Sequence, residues 1–215
     1  MFEGYTPETV DFLWGIRMNN NREWFTEHKK DYVNYLYEPT KALAKDLYEV
    51  FADRVGDEMK VSRIYRDARL HPPVPYKESL WISIRRQGAW WAENPCLYFE
   101  ITPEGVSYGF VMWKPQVSTM TQMRNHWAEQ PGQFLQLLAD VEETTGVPVT
   151  ADVYKRPKEA PIPELAPYYA WKGNISCVVE EPVTEGMFGP ELGLRVKEFI
   201  KKVLPLYDYF NQFGI

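Results

Sequence analysis

Cys96–Trp113 reads CLYFEITPEGVSYGFVMW. Leu97, Phe99 and Ile101 alternate with Tyr98, Glu100 and Thr102. That is the period of a strand, whose successive side chains point to opposite faces. Pro103, Glu104 and Gly105 form a short turn, and a second apolar run follows it. Two such runs joined by a Pro/Gly turn predict an antiparallel hairpin. Just upstream, Glu78–Arg86 (ESLWISIRR) sets Leu80, Ile82 and Ile84 against Ser79, Trp81, Ser83 and Arg85. Residues 61–113 are therefore expected to form a meander of three or four strands.

Helical spacing dominates on both sides of this meander. Thr6, Pro7 and Glu8 read as a helix start: a cap, a first-turn proline and a first-turn acid. Val10, Leu13, Trp14 and Met18 follow at helical intervals. In NNNREWF, Asn20 is placed to cap the next helix and Glu23 to reach back to it. Trp24, Phe25, His28, Tyr32, Tyr35 and Leu36 make that helix's apolar stripe, and Pro39 opens a third. Residues 6–54 are read as helical, as are 117–145 and 190–212, the last with an interruption at Pro205. Residues 155–172 read as a proline-rich loop and 174–181 as one more strand. No internal repeat or long linker breaks the chain. The expectation is a single α+β domain over 1–215, with a mainly antiparallel sheet of about four to six strands.

Composition narrows the function classes. Apolar residues are 45% and charged residues 25%, the mix of a globular domain. Aromatics reach 15%, with eight tryptophans, enough for an aromatic core or an aromatic-lined cleft. A net charge of −6 argues against extended nucleic acid as a partner. Two cysteines make no disulfide framework, and no signal-peptide pattern opens the chain, so a cytoplasmic setting is expected. No apolar run approaches the roughly 20 residues of a spanning helix, so no membrane role is expected. Three scattered histidines form no metal set, and no metal or cofactor is assigned. Walker, GxGxxG and GxSxG motifs are absent.

Against that acidic background, Arg63–Lys77 (RIYRDARLHPPVPYK) gathers Arg63, Arg66, Arg69 and Lys77 around Asp67. Read as a strand, it puts Ile64, Arg66, Ala68 and Leu70 on one face, and Arg63, Tyr65, Asp67 and Arg69 on the other. Guanidinium forks suit phosphate or carboxylate, so the arginines and Lys77 are candidate ligands for an anion, with Tyr65 or Tyr76 as hydrogen-bonding partners. Asp67 and His71 are candidates for acid–base work. Asn21, Arg22 and Glu23 are candidate contributors from the start of the second helix, and Arg124 is a candidate from a later one. The same charges read equally as a structural network in which Arg66 and Asp67 satisfy each other. Trp90, Trp91 and Trp113 are candidates for stacking on a sugar or for a contact surface.

Several landmarks occur in one order: NNNREWF, RIYRDARL followed by PYK, Gly109 with Trp113 and Pro115, Arg124, KRP at 155–157, and LPLYDYFN. In this combination the chain resembles domain of unknown function 2461, a mostly bacterial family with no established activity. The resemblance spans nearly the whole chain. It implies an aromatic and an Asp-Lys pair between R-D-x-R and Pro-Tyr-Lys. Here LHPPV stands there instead, which makes His71 a substitute rather than an inherited candidate. Three functions stay open: a small anionic ligand bound at RIYRD, a non-catalytic interaction domain, and carbohydrate recognition through the tryptophans.

Overall fold

The computed structural model describes residues 1–67, 69, 74–88, 90 and 92–213. Six antiparallel strands form one sheet: β1 (Asp57–Val61), β2 (Leu80–Arg86), β3 (Cys96–Thr102), β4 (Gly105–Met112), β5 (Thr150–Val153) and β6 (Trp171–Pro182). Their order is β1-β2-β3-β4-β6-β5. With its helices this is the α+β class that the alternating and helical stretches predict.

The hairpin reading of Cys96–Trp113 matches the structure closely. Leu97, Phe99 and Ile101 are fully buried, and β3 turns into β4 through Pro103 and Glu104. Gly105 has φ +155°, and a Cβ there would lie 2.0 Å from the Glu181 carbonyl oxygen, so the turn needs glycine. β6 is longer than expected, and β5 lies ahead of the proline-rich loop. Its register against β6 shifts twice, on either side of Asp152.

Two compact units are distinguishable. The first comprises Met1–Ile84, Tyr98–Tyr108 and Glu180–Glu198. It opens with α1 (Pro7–Met18), α2 (Arg22–Glu27), α3 (Lys29–Asp31), a π-helical segment (Tyr32–Tyr37) and α4 (Glu38–Tyr48). The π segment has a local cause. Pro39 has no N–H to offer the Tyr35 carbonyl. Thr9 of α1 supplies the missing donor instead, its hydroxyl 2.6 Å from that oxygen. Leu13, Ile16, Leu36, Leu43, Leu47 and Phe51 make this unit's helical core.

The second unit comprises Arg85–Leu97, Gly109–Val179 and Phe199–Ile215. It contains α5 (Val117–Glu129), α6 (Pro131–Thr145) and the short α7 (Ala166–Tyr169). Its centre is aromatic: Trp127 stacks on Phe134 at 4.3 Å, and Tyr168 meets Phe134 edge-on at 5.0 Å. The final helix, α8 (Glu191–Phe210), continues through Pro205 rather than breaking there. It buries Leu192, Val196, Val203, Leu206 and Phe210, enough apolar surface to outweigh the lost backbone bond.

Both cysteines are free and buried, and burial pushes the Cys177 thiol up to about 11. The thiolate is the reactive form. Native protein at pH 8 is therefore expected to resist iodoacetamide at both positions and to take up two labels in denaturant, read by intact mass.

Candidate functional site

Tyr76 is the centre of the arginine-rich stretch. Its backbone is held from three directions. Asn20 Nδ2 donates to the Tyr76 carbonyl and Asn20 Oδ1 accepts the Tyr76 N–H, both at 3.0 Å. Arg66 Nε donates to the same carbonyl at 2.8 Å. The Tyr76 ring stacks on Phe25 at 4.2 Å, and Tyr65 lies 5.6 Å from Tyr76 and 5.7 Å from Phe25. NNNREWF and RIYRD…PYK, some fifty residues apart, thus meet in a single cluster. Asn20 acts as a strand-like partner to Tyr76, and Asn21 does the capping, its Oδ1 accepting Trp24 N–H at 2.9 Å. That occupies the Trp24 amide, one of the first-turn N–H groups of α2.

Arg63–Arg69 is not a strand among the described residues; one isolated bridge, Tyr65 to Tyr76, stands in its place. The alternation persists in exposure. Ile64 is buried and Arg66 half-buried, while Arg63, Tyr65, Asp67 and Arg69 face solvent. Arg66 does not pair with Asp67. Asp67 accepts the Arg69 backbone N–H at 3.0 Å, Nε at 2.9 Å and Nη2 at 2.7 Å, and the Arg69 side chain is 87% exposed. The Asp67 carboxylate is thus engaged by Arg69 at the surface. Lys77 donates to the Arg63 carbonyl at 2.8 Å and lies over Trp81 at 5.5 Å. Burial, then the neighbouring Arg66 charge, holds the Lys77 ammonium below its usual range. Arg22 is near enough to Tyr76 to draw its phenol down, against the larger upward push of burial.

Among the described residues, Arg22, Arg63, Arg66 and Lys77 have no carboxylate partner. His71 and Trp91 lie outside the described residues, and Glu23 is exposed on α2.

Arg124 belongs to the second unit and has surroundings of its own. It is only 5% exposed. Its guanidinium donates to the Trp171 and Met120 carbonyls, and its own carbonyl accepts the Tyr169 hydroxyl at 2.8 Å. Nε has no partner among the described residues, and burial lowers its pKa. The arginine ties α5 to the start of β6 through carbonyls.

Cavities lined by described residues include two beside charged or aromatic side chains. One, of about 440 Å³, lies in the first unit and carries Glu104 and Glu181 on its wall. Both acids are engaged: Glu104 by Arg17, and Glu181 by Arg195 at 2.8 Å and by the Tyr108 hydroxyl. The other, of about 220 Å³, lies in the second unit beside Trp90. No group of three or more His, Cys, Asp or Glu residues suited to a metal occurs among the described residues. No described helix is long and apolar enough to cross a membrane.

These features define an α+β protein in which Asn20, Arg66, Phe25 and Tyr65 gather at Tyr76. A family model described as "Conserved hypothetical protein (DUF2461)" matches residues 8–209, and the chain belongs to that family. None of the curated proteins compared with it matches.

Proposed function

We propose that the protein binds a small anionic ligand, bearing phosphate or carboxylate, at the cations around Tyr76. The observation that carries this reading is the absence of a carboxylate partner for Arg22, Arg63, Arg66 and Lys77 among the described residues. The chain has more acids than bases, 30 against 24, yet these positions are left unneutralised. Burial is the first cause of the Lys77 depression, and the neighbouring Arg66 charge adds a like-charge cost. A bound anion removes it. The forks of Arg22 and Arg63 supply paired N–H donors, Tyr65, 52% exposed, offers a ring and a hydroxyl, and Asn20 keeps the backbone beneath them fixed.

Calorimetric titration with pyrophosphate and with citrate at low ionic strength tests the reading. Arg22→Gln and Arg63→Gln remove guanidinium groups that make no hydrogen bond or ion pair among the described residues, and each is expected to weaken binding about tenfold. Asp67→Asn removes an exposed negative charge, so affinity should stay the same or rise while the melting temperature holds. Binding should weaken with salt. Absence of heat with both anions at millimolar concentration, or unchanged affinity in both arginine variants, would refute it and leave the arginines with a structural role.

A further inference from the structure

We infer that the cavity beside Trp90 is a second site, separate from the cationic one, and that it takes a single sugar ring. The indole of Trp90 is 62% exposed. Its backbone is not loose. The Trp90 carbonyl accepts the Glu93 N–H at 3.1 Å, the Asn94 N–H at 3.2 Å and Asn94 Nδ2 at 2.9 Å. Three donors on one carbonyl fix the turn that presents the ring. An apolar ring held out toward water costs solvation free energy, and a ligand that covers it recovers that cost.

The remaining wall is Glu93, Asn94, Gln116 and Thr119. Asn94 is 8% exposed and Thr119 is 4% exposed. The Asn94 amide nitrogen is spent on Trp90, which leaves Oδ1 without a partner among the described residues. The Thr119 hydroxyl has none there either. Neither oxygen is among the sealed, unpaired polar atoms of the described residues, and both side chains line the cavity. Both oxygens are thus open to the cavity as acceptors, where a ligand hydroxyl can take the place of water. Glu93 Oε2 accepts Gln116 Nε2 at 2.8 Å, and its other oxygen faces no donor in the described structure.

The cavity therefore offers one aromatic face and a rim of acceptors. Its complement has an apolar face and several hydroxyl donors around its edge. A pyranose has both: axial C–H bonds for the indole and equatorial hydroxyls for Asn94, Thr119 and Glu93. An anion is disfavoured by Glu93. A quaternary ammonium would find one aromatic wall among the described lining residues rather than a cage. At about 220 Å³ the space falls below the roughly 300–1,000 Å³ of pockets for drug-sized ligands, which fits one ring.

The test is the indole N–H region of a ¹⁵N correlation spectrum, titrated with the methyl glycosides of glucose, galactose, mannose and N-acetylglucosamine. Trp90→Ala assigns the Trp90 peak by its disappearance, and the exposed position lets the variant fold. One glycoside is expected to shift the Trp90 peak saturably at millimolar concentration. By calorimetry, Trp90→Ala should weaken that binding at least tenfold, and Thr119→Val several-fold. A Trp90 peak unmoved by all four glycosides overturns the inference. So does a peak that moves with choline or adenosine but with no sugar, or sugar binding that survives Trp90→Ala.

Discussion

Gly109→Ala is expected to destabilise the protein by about 4 kcal/mol or more, enough to deplete the folded state in a domain of ordinary stability. Gly109 lies within β4 with φ +146°, a region that residues with a Cβ rarely occupy. A Cβ there would meet the Cys177 carbonyl oxygen at 2.2 Å and Val178 Cα at 3.0 Å. Both are backbone atoms of β6, the neighbouring strand, so relief requires the strands to part. Gly132→Ala is the contrasting case. Nothing lies within 4 Å of a Cβ in the first turn of α6, and the substitution should be neutral or mildly stabilising. Urea melts of the two variants give the comparison. A Gly109→Ala midpoint equal to that of Gly132→Ala would show that β4 and β6 are not held together as closely as described.

Asn20→Ala should cost about 2–3 kcal/mol. It removes two hydrogen bonds from the backbone of a buried residue, each worth roughly 1 kcal/mol, and leaves the Tyr76 N–H unpaired in a partly buried place. For a chain of this length that corresponds to a melting temperature lower by roughly 5–10 °C. Asn20→Asp separates the two halves of the clamp. The acceptor for Tyr76 N–H survives, but a carboxylate oxygen replaces the donor opposite the Tyr76 carbonyl. The aspartate variant is therefore expected to be no better than alanine above the carboxylate's pKa and to recover partly below it, where the protonated acid donates again. Thermal melts at pH 7 and pH 4, each referred to the unsubstituted protein at the same pH, read the difference. Equal melting temperatures for all three proteins would mean that Arg66 alone holds the Tyr76 carbonyl.

The hairpin was legible because its alternation and its turn are both local, and local signals survive without knowledge of partners. β5 was not. Thr150–Val153 has only Ala151 partly buried, so no two-residue alternation marks it. The strand reading of Arg63–Leu70 had the opposite fault. The alternation of Ile64 and Arg66 with exposed neighbours is real, but a ladder also needs a partner, and only Tyr65 finds one among the described residues. Asn20 was assigned a helix cap because caps are local. Its bond to Tyr76 spans 56 positions and leaves no periodic trace. Arg124 carried a usable signal. Met120 and Trp127, four residues before and three after, set it on the apolar side of α5, and its burial follows from that spacing. The acceptor-lined cavity beside Trp90 had no signal beyond the tryptophan itself. Asn94 and Thr119 are ordinary residues until the turn and α5 bring them to one wall.

The ends of the sheet bear on how this chain behaves in company. An outer strand with a flat, regular row of unused amides is a template on which another molecule can add its own strand. β5 is four residues long, slips register on both sides of Asp152, and is followed within a few residues by Lys155, Arg156 and Pro157. β1 is only five residues long and carries three charged side chains, Asp57, Glu58 and Lys60, a short charged edge that resists the addition of another strand. Irregularity guards one border and charge the other, and growth of the sheet from molecule to molecule is opposed at both.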